Sequence, residues 1–154
     1  MDNFLDELKT LWRGERSPSP IGKTLGFELV EYEKGEALFT MIVNEQHWSL
    51  LNVVQGGVLI SIAEAAIGVA FATTLNEGER FTLTEVHVHY MRPIRQGRID
   101  ARAHLIERGR TLGLVECELR NEQSQLVAKV ASTCMVLRDK SQSDSSNDSA
   151  ENKP

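Results

Sequence analysis

Long hydrophobic runs, paired cysteines and dense basic clusters are all missing from this 154-residue chain, and each absence excludes something. No stretch reaches about 18 uninterrupted apolar residues, so no segment is expected to span a membrane. The net charge is −5 and no group of Lys and Arg is dense enough to track phosphates, so nucleic acid is not an expected partner. The two cysteines, Cys117 and Cys134, fall in strand-like segments without metal or redox spacing, and are expected as buried free thiols in a reducing compartment. The opening stretch MDNFLDELKTLWRGER has no basic start followed by an apolar run. No signal peptide is therefore expected, and the cytoplasm is the expected location. Ser61 lacks a Gly-x-Ser-x-Gly frame, and the glycine pair Gly56–Gly57 fits neither a dinucleotide nor a phosphate-loop pattern.

What is present suits one globular domain with a real core, at 41% apolar and 25% charged residues. Phe4, Leu5, Leu8, Leu11 and Trp12 recur at helical spacing, which predicts an amphipathic helix over 2–13. GERSPSP breaks it, and IGKTLG predicts one further helical turn before Gly26. FELVEYEKGEALFTMIVN reads as a hairpin, two strand-like runs around the glycine-bearing EKGE. A loop is expected over 45–54, a long helix over 55–75, and strands over 80–92, 97–108, 110–121 and 124–138. Alternation in TLTEVHVHY places Thr82, Thr84, Val86, Val88 and Tyr90 on one face, with Leu83, Glu85, His87 and His89 on the other. The last stretch, DKSQSDSSNDSAENKP, supplies −2 of the net charge and is too polar to pack. The chain therefore divides into an N-terminal helix and linker over 1–18, a domain over 19–138 and a disordered tail over 139–154. One helix among roughly six antiparallel strands must lie across the sheet to cover a face, an α+β arrangement with a central helix.

That helix is apolar nearly all round. Val58, Leu59, Ile62, Ala66, Val69 and Ala70 fill one side, while Ile60, Ala63, Ala65, Ile67 and Phe71 leave little polar surface elsewhere. Enclosure by the sheet and by a second subunit is expected. The helix opens on Gln55, Gly56 and Gly57. First-turn N–H groups lack partners within a helix and carry the positive end of its dipole. Glycine lets a ligand oxygen approach them, and such an N–H suits a developing oxyanion. Equally, the glycine pair can simply permit a tight entry into the helix or close packing on the sheet. Glu64 stands mid-helix, where an unpaired buried carboxylate is costly, so it must be hydrogen-bonded, paired or partly solvated. It can serve as a general base or nucleophile, or bond structurally across a dimer interface.

Gly-Gly at a helix start with an acid nine positions after Gln55 resembles the hotdog-fold acyl-CoA thioesterases. The element order, HYMRP closing one strand and GRTLGLVECEL opening another extend the likeness over roughly residues 20–138. The groups it looks most like are the phenylacetate-pathway type and the 4-hydroxybenzoyl-CoA thioesterases. The resemblance implies a long central helix wrapped by the sheet, and hydrolysis of an acyl-CoA thioester. Glu64 would be the nucleophile or general base and the Gly56 N–H would polarise the carbonyl. Gln55, Ser49 and Asn52 would orient the substrate, beside Gly57 and Gly68. The site would form between two subunits of a homodimer or dimer of dimers, with no metal or separate cofactor, coenzyme A being part of the substrate. The chain departs from the family at four positions. Gln55 replaces the usual histidine, and its amide donates but does not titrate. Ser49 stands where Asn or Gln is frequent, Asn52 where Gly is frequent, and Gly68 where Ser or Thr is. These departures motivate an alternative, a non-catalytic hotdog protein that binds acyl thioesters or acts as an assembly module.

Other candidates are weaker. His87 and His89 share a strand face, but no third metal ligand accompanies them, and a solvated or interface face explains them. Arg108, Arg110 and Thr111 at the ERGRT turn could reach the phosphates of coenzyme A or simply form a solvated hairpin. His47 lies eight residues too early for the family histidine. Ala65, Gly68 and Ala72 are candidates to line a small acyl pocket.

Overall fold

The structure, a computed structural model, describes Asp6, Thr10 and residues 19–138. Asp6 and Thr10 are helical; the rest of the helix expected over 2–13 lies outside the described residues, as does the tail 139–154. The turn expected from IGKTLG is helix α1 (Pro20–Leu25). The Ser19 hydroxyl accepts the Gly22 N–H at its start, and Gly26 ends it in the left-handed conformation at φ 75°. The hairpin is β1 (Phe27–Glu33) and β2 (Glu36–Val43). The long helix, α2, runs Gly56–Ala72, shorter than the expected 55–75. Thr73 and Thr74 close it by donating their hydroxyls to the carbonyls of Ala70 and Phe71. Four strands follow: β3 (Glu79–Tyr90), β4 (Gly97–Arg108), β5 (Leu112–Asn121) and β6 (Leu126–Arg138).

All six strands form one antiparallel sheet in the order β1-β2-β4-β5-β6-β3. Since β2 and β3 stand far apart in that order, the chain must cross the sheet between them, and α2 makes the crossing over β2, β4 and β5. Leu59, Ile62, Ala63, Ala66, Ile67, Ala70 and Phe71 of α2 are buried against Met41, Ile99, Ala101, Ala103, Val115 and Cys117 of the sheet. The alanines facing each other let helix and sheet approach closely. Gly113 is part of that fit, for a Cβ there would lie 2.5 Å from the Phe71 ring. Cys117 and Cys134 are buried free thiols as expected, and burial pushes Cys134 up to about 11 and Cys117 higher still. No helix among the described residues is long and apolar enough to cross a membrane.

One expectation fails. The pairing of β3 with β6 slips between Leu83 and Glu85, a bulge at Thr84. A bulge adds one residue and inverts the phase of everything after it. Leu83 faces Cys134 while Val86 faces Ser132, both partners buried, so Phe81, Leu83 and Val88 all reach the core. Leu83 therefore does not share a face with His87 and His89, nor Thr82 with Val88. The sheet of one chain covers α2 on one side only. Gly57 and Glu64 are exposed, and Val58, Ile60, Ser61, Ala65 and Gly68 are half-buried. Within one chain Glu64 is not enclosed.

Candidate active site

The chain enters α2 through a loop that is tied down at every step. Asn44 opens a single 3₁₀ turn, Glu45–His47. The His47 Nδ1 accepts the Asn44 N–H at 3.1 Å, which makes Nε2 the donor to the Leu25 carbonyl at 2.8 Å. His47 is 6% exposed and holds the loop to α1. Trp48 bridges to Val54, and its indole N–H donates to the Arg95 carbonyl at 2.6 Å. Between them the chain doubles back. The Ser49 N–H donates to the Val53 carbonyl at 2.7 Å, and the Asn52 N–H to the Ser49 carbonyl at 3.0 Å. The Ser49 hydroxyl accepts the Leu51 N–H at 3.2 Å. Asn52 sits at φ 55°, the left-handed region that glycine favours and asparagine tolerates. The Gln55 N–H donates back to the His47 carbonyl at 2.8 Å, which fixes where α2 begins.

A pocket of about 600 Å³ opens at that point. Leu50, Leu51, Val53 and Val54 of the loop form one wall, and Tyr90, Met91, Pro93 and Ile94 after the end of β3 form the other. Gln55, Gly56 and Leu59 make its floor, and Ser49 and Arg92 add polar groups. Leu50, Leu51 and Met91 are exposed, so the rim is apolar as well. Gln55 places no side-chain bond on the helix start. Among the described residues the N–H groups of Gly56 and Gly57 meet no acceptor, leaving two donors at the positive end of the dipole. A Cβ on Gly56 would lie 2.6 Å from the Tyr90 hydroxyl oxygen, so any other residue there would displace that phenol. Gly57 has open space around it.

The pocket thus gathers Ser49, Gln55 and Gly56 and leaves the other candidate residues elsewhere in the chain. Asn52 and Gly57 adjoin it without lining it. Glu64 and Gly68 stand further along the exposed side of α2. Ala72 is wholly buried in the core and lines nothing. Arg108 is turned inward: its guanidinium lies over the Phe71 ring at 5.2 Å and donates to Glu79 at 2.9 Å, so it is not free to bind a phosphate. Arg110 and Thr111 are exposed at the β4–β5 turn, near the opposite end of α2 from Gly56. His87 and His89 are exposed on the outer sheet face, His87 against Glu85 at 3.2 Å. The second wall, Tyr90 to Ile94, was missed; its one signal in the sequence was HYMRP, read only as a strand end.

Residues 51–128 match the family model of the Thioesterase superfamily. The chain belongs to that superfamily. It is 30% identical over 135 residues to the medium/long-chain acyl-CoA thioesterase YigI of Escherichia coli K12, a match covering 76% of this chain and 85% of that one. A solved thioesterase from Haemophilus influenzae superposes with a TM-score of 0.72 at 26% identity, over 77% of this chain and 82% of that one. A variant of the phenylacetic acid degradation protein PaaI from Thermus thermophilus gives 0.72 at 26%, over 77% of this chain and all of the other. The fold is the hotdog fold, and in this thioesterase the matched segment takes in the whole of α2 and every pocket residue but Ser49 and Leu50.

Proposed function

We propose that this thioesterase hydrolyses acyl-CoA esters in a site completed by a second copy of the chain, with Glu64 of one subunit acting on a thioester held at the partner subunit's Gly56. The observation that carries the reading is the pairing of two unaccepted N–H groups beside an apolar pocket with a carboxylate on the uncovered side of the same helix. The thioester carbonyl oxygen accepts the Gly56 N–H. Glu64 takes a proton from water as the water oxygen bonds the carbonyl carbon, and the π electrons move onto the carbonyl oxygen. Collapse of that oxyanion breaks the carbon–sulfur bond, and the leaving thiolate recovers the proton from Glu64. Direct attack by the Glu64 carboxylate, with water cleaving the resulting anhydride, uses the same geometry.

Gln55 and Ser49 orient the acyl group from the pocket floor and wall, and Asn52 shapes the loop that carries Ser49. Gly57 and Gly68 keep the approach to the helix open. Arg110 and Thr111 of the subunit that supplies Glu64 reach the phosphates of coenzyme A, for α2 spans about 25 Å and puts them beyond the reach of their own chain's pocket. The free edge of β3 supports self-association. β1, the other edge, is shorter and carries Glu28, Glu31 and Glu33, which discourage pairing, whereas β3 offers twelve residues. The apolar walls favour an apolar acyl group, in keeping with the name of YigI.

The test is thiol release from acetyl-, medium-chain, long-chain, phenylacetyl- and hydroxybenzoyl-CoA, with Glu64→Ala run beside the parent. Loss of hydrolysis in a variant that keeps its oligomeric state supports the assignment. Turnover retained by the pure, folded variant overturns it.

A further inference from the structure

The histidine that usually precedes the glycine pair is glutamine here, yet the pocket is not short of a donor. Tyr90 ends β3 with its ring laid against the first residue of α2. A Cβ on Gly56 would be 2.6 Å from the hydroxyl oxygen and 2.8 Å from the ring carbon bearing it. A Cβ stands about 1.5 Å from its Cα, so the hydroxyl lies within about 4 Å of the Gly56 backbone. Tyr90 is 53% exposed and lines the pocket, and no group among the described residues bonds its hydroxyl. A phenol that packed only for its ring would need no hydroxyl at this place.

We propose that Tyr90 is a catalytic residue, the second donor to the thioester carbonyl, acting with the Gly56 N–H of the same chain. This inference rests on the reading of Gly56 as the carbonyl-binding group. The phenol O–H donates to the carbonyl oxygen, and the bond strengthens as that oxygen gains the electron pair of the breaking π bond. Tyr90 keeps its proton throughout; the proton that moves is the one Glu64 takes from water and the thiolate receives. The other pocket polar groups suit this role less well. The Ser49 hydroxyl accepts the Leu51 N–H within its own loop, and the three atoms nearest a Cβ built on Gly56 all belong to Tyr90. Gly56 then does two things at once. Its N–H is a donor, and it lacks the Cβ that would crowd the phenol.

Tyr90→Phe keeps the ring over Gly56 and removes only the hydroxyl. The expected result, measured with the acyl-CoA that the parent hydrolyses best, is a fall in kcat of about 10²-fold with KM nearly unchanged and the unfolding midpoint unmoved, as for loss of one oxyanion donor. A kcat within about twofold of the parent overturns the proposal, and so does a raised KM at unchanged kcat, which marks ground-state binding alone. Glu64→Ala measured in parallel separates the two claims. An active Glu64→Ala beside a crippled Tyr90→Phe removes the carboxylate mechanism and leaves the donor pair standing; a dead Glu64→Ala beside an unaffected Tyr90→Phe does the reverse.

Discussion

Glu64 and Gly56 lie on one helix, eight residues and about 12 Å apart along its axis. The first-turn N–H groups point out of the helix start and so away from Glu64. One thioester cannot touch both groups of a single chain. Either only one of them acts, or two chains meet with the carboxylate of each at the helix start of the other.

Subunit mixing decides between these. Glu64→Ala and Gly56→Val are each expected to be inactive alone. In a hybrid dimer one of the two sites combines an intact Gly56 with an intact Glu64, so random re-association of equal amounts restores about a quarter of parental activity. Activity of denatured and co-refolded mixtures is compared with that of the unmixed variants. No recovery in a mixture shown to contain hybrids excludes a shared site.

Far from the pocket, Glu79 joins the starts and ends of three strands. Its carboxylate accepts the Asn76 N–H at 3.0 Å, Arg108 at 2.9 Å and Arg138 at 2.5 Å. The Asn76 bond foremost, with Arg138 and Arg108, holds this carboxyl below its ordinary 4.5 against the burial that pushes it up. A lowered folded-state value means stability that is present in full above the unfolded carboxylate range and fades as pH falls through the folded value. Glu79→Gln is expected to cost about 1–2 kcal/mol at neutral pH, since it removes the negative charge that pairs with two arginines. Urea unfolding of both proteins from pH 7 down to pH 3 should show the gap narrowing on the acid side. A gap that stays constant would rule out the ionised cluster as its source.

The sequence showed the fold more readily than the site, for reasons that lie in particular residues. A long run from Val58 to Ala72, apolar but for Ser61, Glu64 and Gly68, reads as a helix, and four turn-bounded alternating segments after it read as strands. The bulge at Thr84 was hidden because TLTEV alternates cleanly on paper while the register is set by β6, some fifty residues later. Enclosure of Glu64 needs a second subunit, because its own chain covers Ile60 and Ala65 only in part. One wall of the pocket comes from Tyr90 to Ile94, more than thirty residues from Gly56, and no spacing rule joins segments that only the sheet order brings together.

Asn52 is the departure whose cause is visible in the backbone. At φ 55° it occupies a conformation that costs an ordinary L-residue about 1–2 kcal/mol, and it closes the turn by donating its N–H to the Ser49 carbonyl. Asn52→Gly should leave the unfolding midpoint equal or slightly higher, and kcat and KM within about twofold, because glycine meets the same backbone demand. Asn52→Val should lower stability by about 1–2 kcal/mol and loosen the wall that Leu50, Leu51 and Val53 build, raising KM for long acyl chains more than for acetyl-CoA. Thermal unfolding with steady-state kinetics on both chain lengths separates backbone from side chain. If Asn52→Gly keeps its stability and still loses turnover, the amide itself orients the substrate.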